Sequence, residues 1–104
     1  MIKVMLVDDQ TLVRQGVKSL LSLAESIEVV AEALDGQQAI DMIPLVQPDV
    51  VLMDINMPEV NGIEGLRIIK TNHPEVKVLM QTAFDDSDKI FTCIINGASG
   101  YILK

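Results

Sequence analysis

Cysteine is almost missing from this sequence. Cys93 stands alone, which excludes an internal disulfide framework and suits a reducing cytosol. Tryptophan is absent and aromatics make up 3% of the chain, so platforms for stacking bases are not expected. Cations are scarce as well: 8 Lys and Arg stand against 15 Asp and Glu, a formal charge of −7 that makes nucleic acid a poor direct partner. A DNA-binding domain elsewhere in a longer parent chain remains compatible with this charge. No apolar run approaches the length of a membrane span, and no charged-then-apolar leader precedes the first strand, because Met1 runs straight into Ile2-Lys3-Val4-Met5-Leu6-Val7. A cytoplasmic protein that does not engage a membrane is therefore expected. The 104 residues suffice for one domain with one core, and 49% hydrophobic with 22% charged residues is a globular composition.

The most informative stretch is Val50-Val51-Leu52-Met53-Asp54-Ile55-Asn56-Met57-Pro58. Its continuous apolar run, bounded by Pro48 and Pro58, reads as a strand over 49–54 buried on both faces, as in the middle of a parallel sheet. Other strands are expected at 2–7, 28–33, 76–81 and 99–103. Between them lie helical patterns. Residues 11–24 carry Val13, Val17, Leu20, Leu21 and Ala24 on one face, with Thr11 or Asp9 available as cap. Asp35-Gly36 turns into a short helix over 37–43, which Pro44 should kink or end. Asn61-Gly62 leads into a helix over 63–71 that turns Ile63, Leu66 and Ile69 to the sheet. A fourth helix is expected over 86–96, stopped by Gly97. Strands alternating with helices across short connections predict a doubly wound, three-layer α/β domain spanning 1–104, a flavodoxin-like parallel sheet of order 2-1-3-4-5 without its final helix.

In such a sheet the strand ends converge on one edge, where open α/β sheets bind ligands. Four of the five expected strands end in a polar or reactive group there: Asp8-Asp9, Asp54, Thr82 and Lys104. Taken singly, Asp8 or Asp9 suits a helix cap, Thr82 a satisfied strand-end hydroxyl and Lys104 a solvated lysine. Asp54 resists such a reading because its strand is expected to be buried. Two unit charges about 4 Å apart repel by roughly 4 kcal/mol at an effective dielectric near 20, so three gathered carboxylates call for a cation. No His or Cys stands nearby to favour zinc, and all-oxygen ligation suits Mg²⁺. A metal and an ammonium would neutralise phosphoryl oxygens, a hydroxyl would hydrogen-bond one, and a central carboxylate can attack phosphorus. The expected chemistry is formation and hydrolysis of an acyl phosphate on Asp54.

Asp8-Asp9, Asp54 with Met57-Pro58, Thr82-Ala83 and Lys104 together resemble the receiver domains of bacterial two-component response regulators, over Ile2 to Lys104. The stretches Pro48 to Asp54 and Gly97 to Lys104 look most like the subfamily carrying a C-terminal LuxR-type helix-turn-helix DNA-binding domain. The resemblance implies that a sensor histidine kinase phosphorylates Asp54. It implies Mg²⁺ ligation by Asp9 directly, by Asp8 largely through water, by Asp54, and by the backbone carbonyl of Asn56. Thr82 and Lys104 would bind the phosphoryl oxygens, Thr82 and Tyr101 would form the switch, and Asn56 and Phe84 would tune hydrolysis. The domain would control an output domain of its own parent protein, through the fourth-helix and fifth-strand face, without being an enzyme beyond its own phosphorylation and dephosphorylation. The plainer reading of Tyr101 is a half-buried strand residue with its hydroxyl in water.

Three features depart from the family pattern. Pro44 interrupts the second helix. Phe91 and Ile95 widen the apolar surface of the fourth helix, as a broader core stripe or as a patch for a partner or a homodimer. The sequence stops before a final helix, so bared apolar surface beside the first helix, with self-association or low stability, is expected. A terminal Lys104 would also fray. Two other classes stay open: an interaction-only receiver disabled by truncation, and an aspartyl-phosphate phosphatase or phosphotransferase. The latter usually needs a second acid where this chain has Asn56.

Overall fold

A computed structural model describes residues 1–54, 62–82, 98 and 100–103, with Thr82 and 101–103 described by their backbone. Five strands, β1 (Ile2–Val7), β2 (Ile27–Ala33), β3 (Val50–Asp54), β4 (Lys77–Thr82) and β5 (Gly100–Leu103), form one sheet. Its order is β2-β1-β3-β4-β5, as expected from the sequence, and every neighbouring pair is parallel. Three helices connect them: α1 (Thr11–Leu21), α2 (Gly36–Val46) and α3 (Gly62–Asn72). The helix expected over 86–96, with Phe91 and Ile95, lies outside the described residues.

Strand alternation sorts the core into two layers. Met5 and Val7 of β1, Val51 and Met53 of β3 and Val78 and Met80 of β4 face Ala39 and Ile43 of α2 and Leu66 and Ile69 of α3. Val4, Leu6 and Leu52 form a thinner layer on the opposite face, joined by half-buried Val17 and Leu21 of α1. Burial of each such side chain contributes about 1.5–3 kcal/mol. Helix α3 comes unusually close to β3: a Cβ on Gly65 would lie 3.1 Å from the Met53 sulfur. The chain before β3 fixes the sheet's register. The Asp49 N–H donates to the Lys3 carbonyl, its own carbonyl accepts from the Lys77 N–H, and its Oδ2 accepts from the Lys3 N–H at 2.9 Å.

Strand β2 contains a bulge. Val4 pairs with Val29 but Met5 pairs with Ala31, so Val30 is an extra residue. Before it, Ile27 and Val29 face the α1 layer; after it, Ala31 and Ala33 join the opposite core.

Several sequence expectations need correction. Helix α1 ends at Leu21 rather than residue 24, because the amides of Leu23 and Ala24 tighten onto carbonyls three residues back. Leu20, expected on its inner face, is 70% exposed, and the side chain buried there is Arg14. Neither Asp9 nor Thr11 caps the helix: Gln10 is the cap residue, without a side-chain capping bond. Helix α2 continues through Pro44 to Val46. Proline there deletes one backbone donor near the helix end, and the chain turns at Gln47, whose left-handed backbone (φ 49°) lets its N–H reach the Ile43 carbonyl. Asp35 is a true cap, accepting from the Gln38 N–H at 2.8 Å. The remaining strand and helix limits shift by one residue, to Ile27, Gly36, Val50, Gly62, Asn72, Lys77, Thr82 and Gly100.

Gly16 sits inside α1, and a Cβ built there meets nothing within 4 Å. Gly16→Ala should therefore raise the unfolding free energy by about 1 kcal/mol in urea titrations. A loss of stability would show that the outer face of α1 is covered.

Candidate functional site

The switch point of this topology lies between β1 and β3, where the connections leave in opposite directions. Val7 pairs with Met53, so the next residues, Asp8 and Asp54, stand level at the carboxyl edge. Both are buried, at 2% and 4% exposure, while Asp9 is exposed. The three carboxylates offer oxygens that all lie within 4.8 Å of one another. Octahedral Mg²⁺, with bonds of about 2.0–2.1 Å, needs ligand oxygens roughly 3–4 Å apart, which small side-chain rotations provide. The cluster contains no His or Cys, and an all-carboxylate donor set fits a hard divalent cation.

Asp8 is held from several sides. Its N–H donates to the Ala33 carbonyl at 3.1 Å, its Oδ1 accepts from the Gln10 N–H at 2.8 Å, and its carbonyl accepts from Arg14 Nη1 at 2.7 Å. The Arg14 Nε donates to Glu32 Oε1 at 2.9 Å and Lys18 donates to Glu32 Oε2 at 3.1 Å. The Lys18 hydrogen bond, opposed by partial burial and helped by Arg14, holds the Glu32 carboxyl below its ordinary value of 4.5. This favours the charged form in the folded chain. Its contribution is complete above the unfolded value and is lost as pH falls through the lowered folded value. Glu32→Gln should therefore flatten the loss of stability on acidification below about pH 4.5; acid titrations of unfolding that run parallel to wild type would refute this.

Sequence reading found the acidic trio and missed Arg14 and Glu32. The available signal was charge in apolar company: Arg14 next to Val13 and Val17, and Glu32 between Ala31 and Ala33. Thr82 ends β4 level with Leu103, and Tyr101 pairs with Met80. The sheet thus brings the Thr82 backbone to the same edge as Asp54, separated by the pairing of Asp54 with Gln81. Asn56, Phe84 and Lys104 lie outside the described residues.

An open parallel sheet with acidic groups at its switch point defines a phosphate- or metal-handling α/β class rather than one protein. Comparison with known proteins narrows it. The response regulator receiver domain matches residues 4–104, and the chain belongs to that family. It is 50% identical over 104 residues to the transcriptional regulatory protein LnrK of Bacillus subtilis, covering all of this chain and 47% of LnrK. It is 44% identical to the transcriptional regulatory protein DegU of Brevibacillus brevis, covering 99% of this chain and 44% of DegU. The chain thus spans about half the length of these curated relatives. Among solved structures, the receiver domain of the putative response regulator NarL from Mycobacterium tuberculosis superposes with a TM-score of 0.93 at 34% identity, over 98% of this chain and 82% of that one. The chain is a receiver domain of a two-component response regulator. Among the described residues, no helix is long and apolar enough to cross a membrane.

Proposed function

We propose that the chain is a phosphoacceptor. Asp54 takes a phosphoryl group from the phosphohistidine of a sensor kinase: a carboxylate oxygen forms the new P–O bond, the P–N bond breaks, and the imidazole leaves. Water later cleaves the acyl phosphate. The observation that carries this reading is the position of buried Asp54, level with Asp8 and within 4.8 Å of the oxygens of Asp8 and Asp9. In this reading Asp8, Asp9, Asp54 and the Asn56 carbonyl hold Mg²⁺, which supplies positive charge for the phosphoryl oxygens. Thr82 and Lys104 bind those oxygens as well. Thr82 and Tyr101 carry the switch, and Asn56 and Phe84 set the access of water. The relatives named above are transcriptional regulators. We accordingly infer a cytoplasmic parent regulator whose 1–104 segment is the receiver unit and whose DNA-binding output domain responds to it, with homodimerisation as a further proposal.

The test is intact mass after incubation with acetyl phosphate, beside an assay of phosphomonoester turnover. One Mg²⁺-dependent phosphoryl adduct without turnover is expected. Sustained turnover of a phosphomonoester would make the chain an enzyme of the aspartyl-phosphate class instead. Failure to form any adduct would leave no phosphoacceptor.

A further inference from the structure

We infer that Arg14 is a positioning residue for the acidic site, an inference that rests on the metal-binding reading above. Arg14 is an arginine at 9% exposure on a helix whose other inward residues are apolar and half-buried. Its guanidinium spans two elements. Nε is fixed by Glu32 on β2, at 2.9 Å, and Nη1 donates to the main-chain carbonyl of Asp8, at 2.7 Å. The contact is to the backbone rather than to a carboxylate. Arg14 therefore fixes where the chain leaves β1, and with it the directions of the Asp8 and Asp9 side chains. Lys18 holds the other oxygen of Glu32 and keeps the anchor in place.

Two effects of Arg14 on a bound cation oppose each other. As a positive charge close to the site, it should weaken cation binding. As a clamp on the Asp8 carbonyl, it should strengthen binding by preorganising the ligands. Glu32 offsets much of the charge across a hydrogen-bonded pair, whereas the 2.7 Å bond from Nη1 ties the Asp8 carbonyl directly to α1. The clamp should win. Arg14→Lys separates the two, because lysine keeps the charge but a single ammonium does not reproduce the planar fork.

The measurement is a Mn²⁺ titration followed by the electron paramagnetic resonance signal of the free ion, with circular dichroism at the same temperature to show that each variant is folded. Outer partners of metal ligands typically cost 10–100-fold in affinity when removed, so Arg14→Lys and Arg14→Gln should each weaken Mn²⁺ binding about tenfold. Should the Arg14 variants fail to fold, Glu32→Ala leaves Arg14 in place but unanchored and should weaken binding several-fold. Unchanged affinity in folded Arg14→Lys, or tighter binding in Arg14→Gln, would overturn the inference. A part confined to packing would lower stability alone and leave the Mn²⁺ affinity of the folded variants untouched. Wild-type protein that binds no Mn²⁺ would overturn the metal-site reading itself, and that failure shows before any substitution is made.

Discussion

Asp54→Asn should accept no phosphoryl group from acetyl phosphate, whatever the Mg²⁺ concentration. The substitution nearly preserves shape, so β3, with Val51, Leu52 and Met53 buried around it, should stay in register. What it removes is the anionic oxygen that the proposed function assigns to the attack on phosphorus, which an amide does not replace at neutral pH. Two other carboxylates lie within 4.8 Å, and their presence makes the outcome informative. Asp8 is pinned through its amide, its carbonyl and its Oδ1, and Asp9 is exposed. Asp8, although buried and level with Asp54, has its Oδ1 committed to the Gln10 N–H, and Asp9 lacks the burial. The loss should therefore be complete rather than partial, read as a single unmodified species by mass spectrometry. An adduct of wild-type extent in Asp54→Asn, localised by fragmentation to Asp8 or Asp9, would move the acceptor.

Mg²⁺ should stabilise the wild-type chain, and Asp8→Asn should abolish that gain. A ligand that binds the folded state alone adds RT ln(1 + [L]/Kd), about 2.7 kcal/mol at a hundred times Kd. For a domain of this size each kcal/mol moves the melting temperature by roughly 4–8 °C, so the shift should be readily visible. Its physical origin lies in the crowding of Asp8 and Asp54. At the 4.8 Å limit of the cluster, two buried charges repel by about 3 kcal/mol at an effective dielectric near 20. A divalent ion reverses the sign of that local interaction. Asp8→Asn retains an oxygen for the Gln10 N–H while removing one charge, which isolates the electrostatic part. Melts in MgCl₂ and in KCl of equal ionic strength provide the control. An equal rise in both salts, or an undiminished Mg²⁺ shift in Asp8→Asn, would show general screening instead of a site.

Much of this architecture was readable in advance because the relevant signals are strong and local. The run from Val50 to Asp54 has no alternation, so it had to be covered on both faces, and its four final residues are all buried. A parallel sheet then carried Asp8 and Asp54 to one edge. The features that escaped depend on tertiary context. Leu20 follows the apolar period of α1 yet points outward, and the side chain buried on that helix is that of a charged residue, Arg14. Helix α2 outlasts Pro44, since a proline in its last turn removes a single donor and Gln47 can adopt a left-handed turn. The cap expected of Asp9 or Thr11 fell to Gln10, with the Asp8 carboxylate accepting the Gln10 N–H instead.

The bulge in β2 keeps one extra residue from changing the polarity of everything after it. Successive side chains on a strand point to opposite faces, so one added residue without a bulge would invert the facing of those beyond it. Were β2 regular through Val30, the phase set by Ile27 and Val29 would continue through Ala31 and Ala33, and Glu32 would turn into the layer occupied by Met5 and Val7. With the bulge, the two alanines enter that layer and Glu32 pairs beside Leu6 on the α1 side, within reach of Arg14. The bulge thus works as a frame-correcting joint, letting β2 carry one surplus residue without misdirecting those that follow. Loss of the bulge with Val30 still in place would bury the Glu32 carboxylate and release the clamp on Asp8 in one stroke.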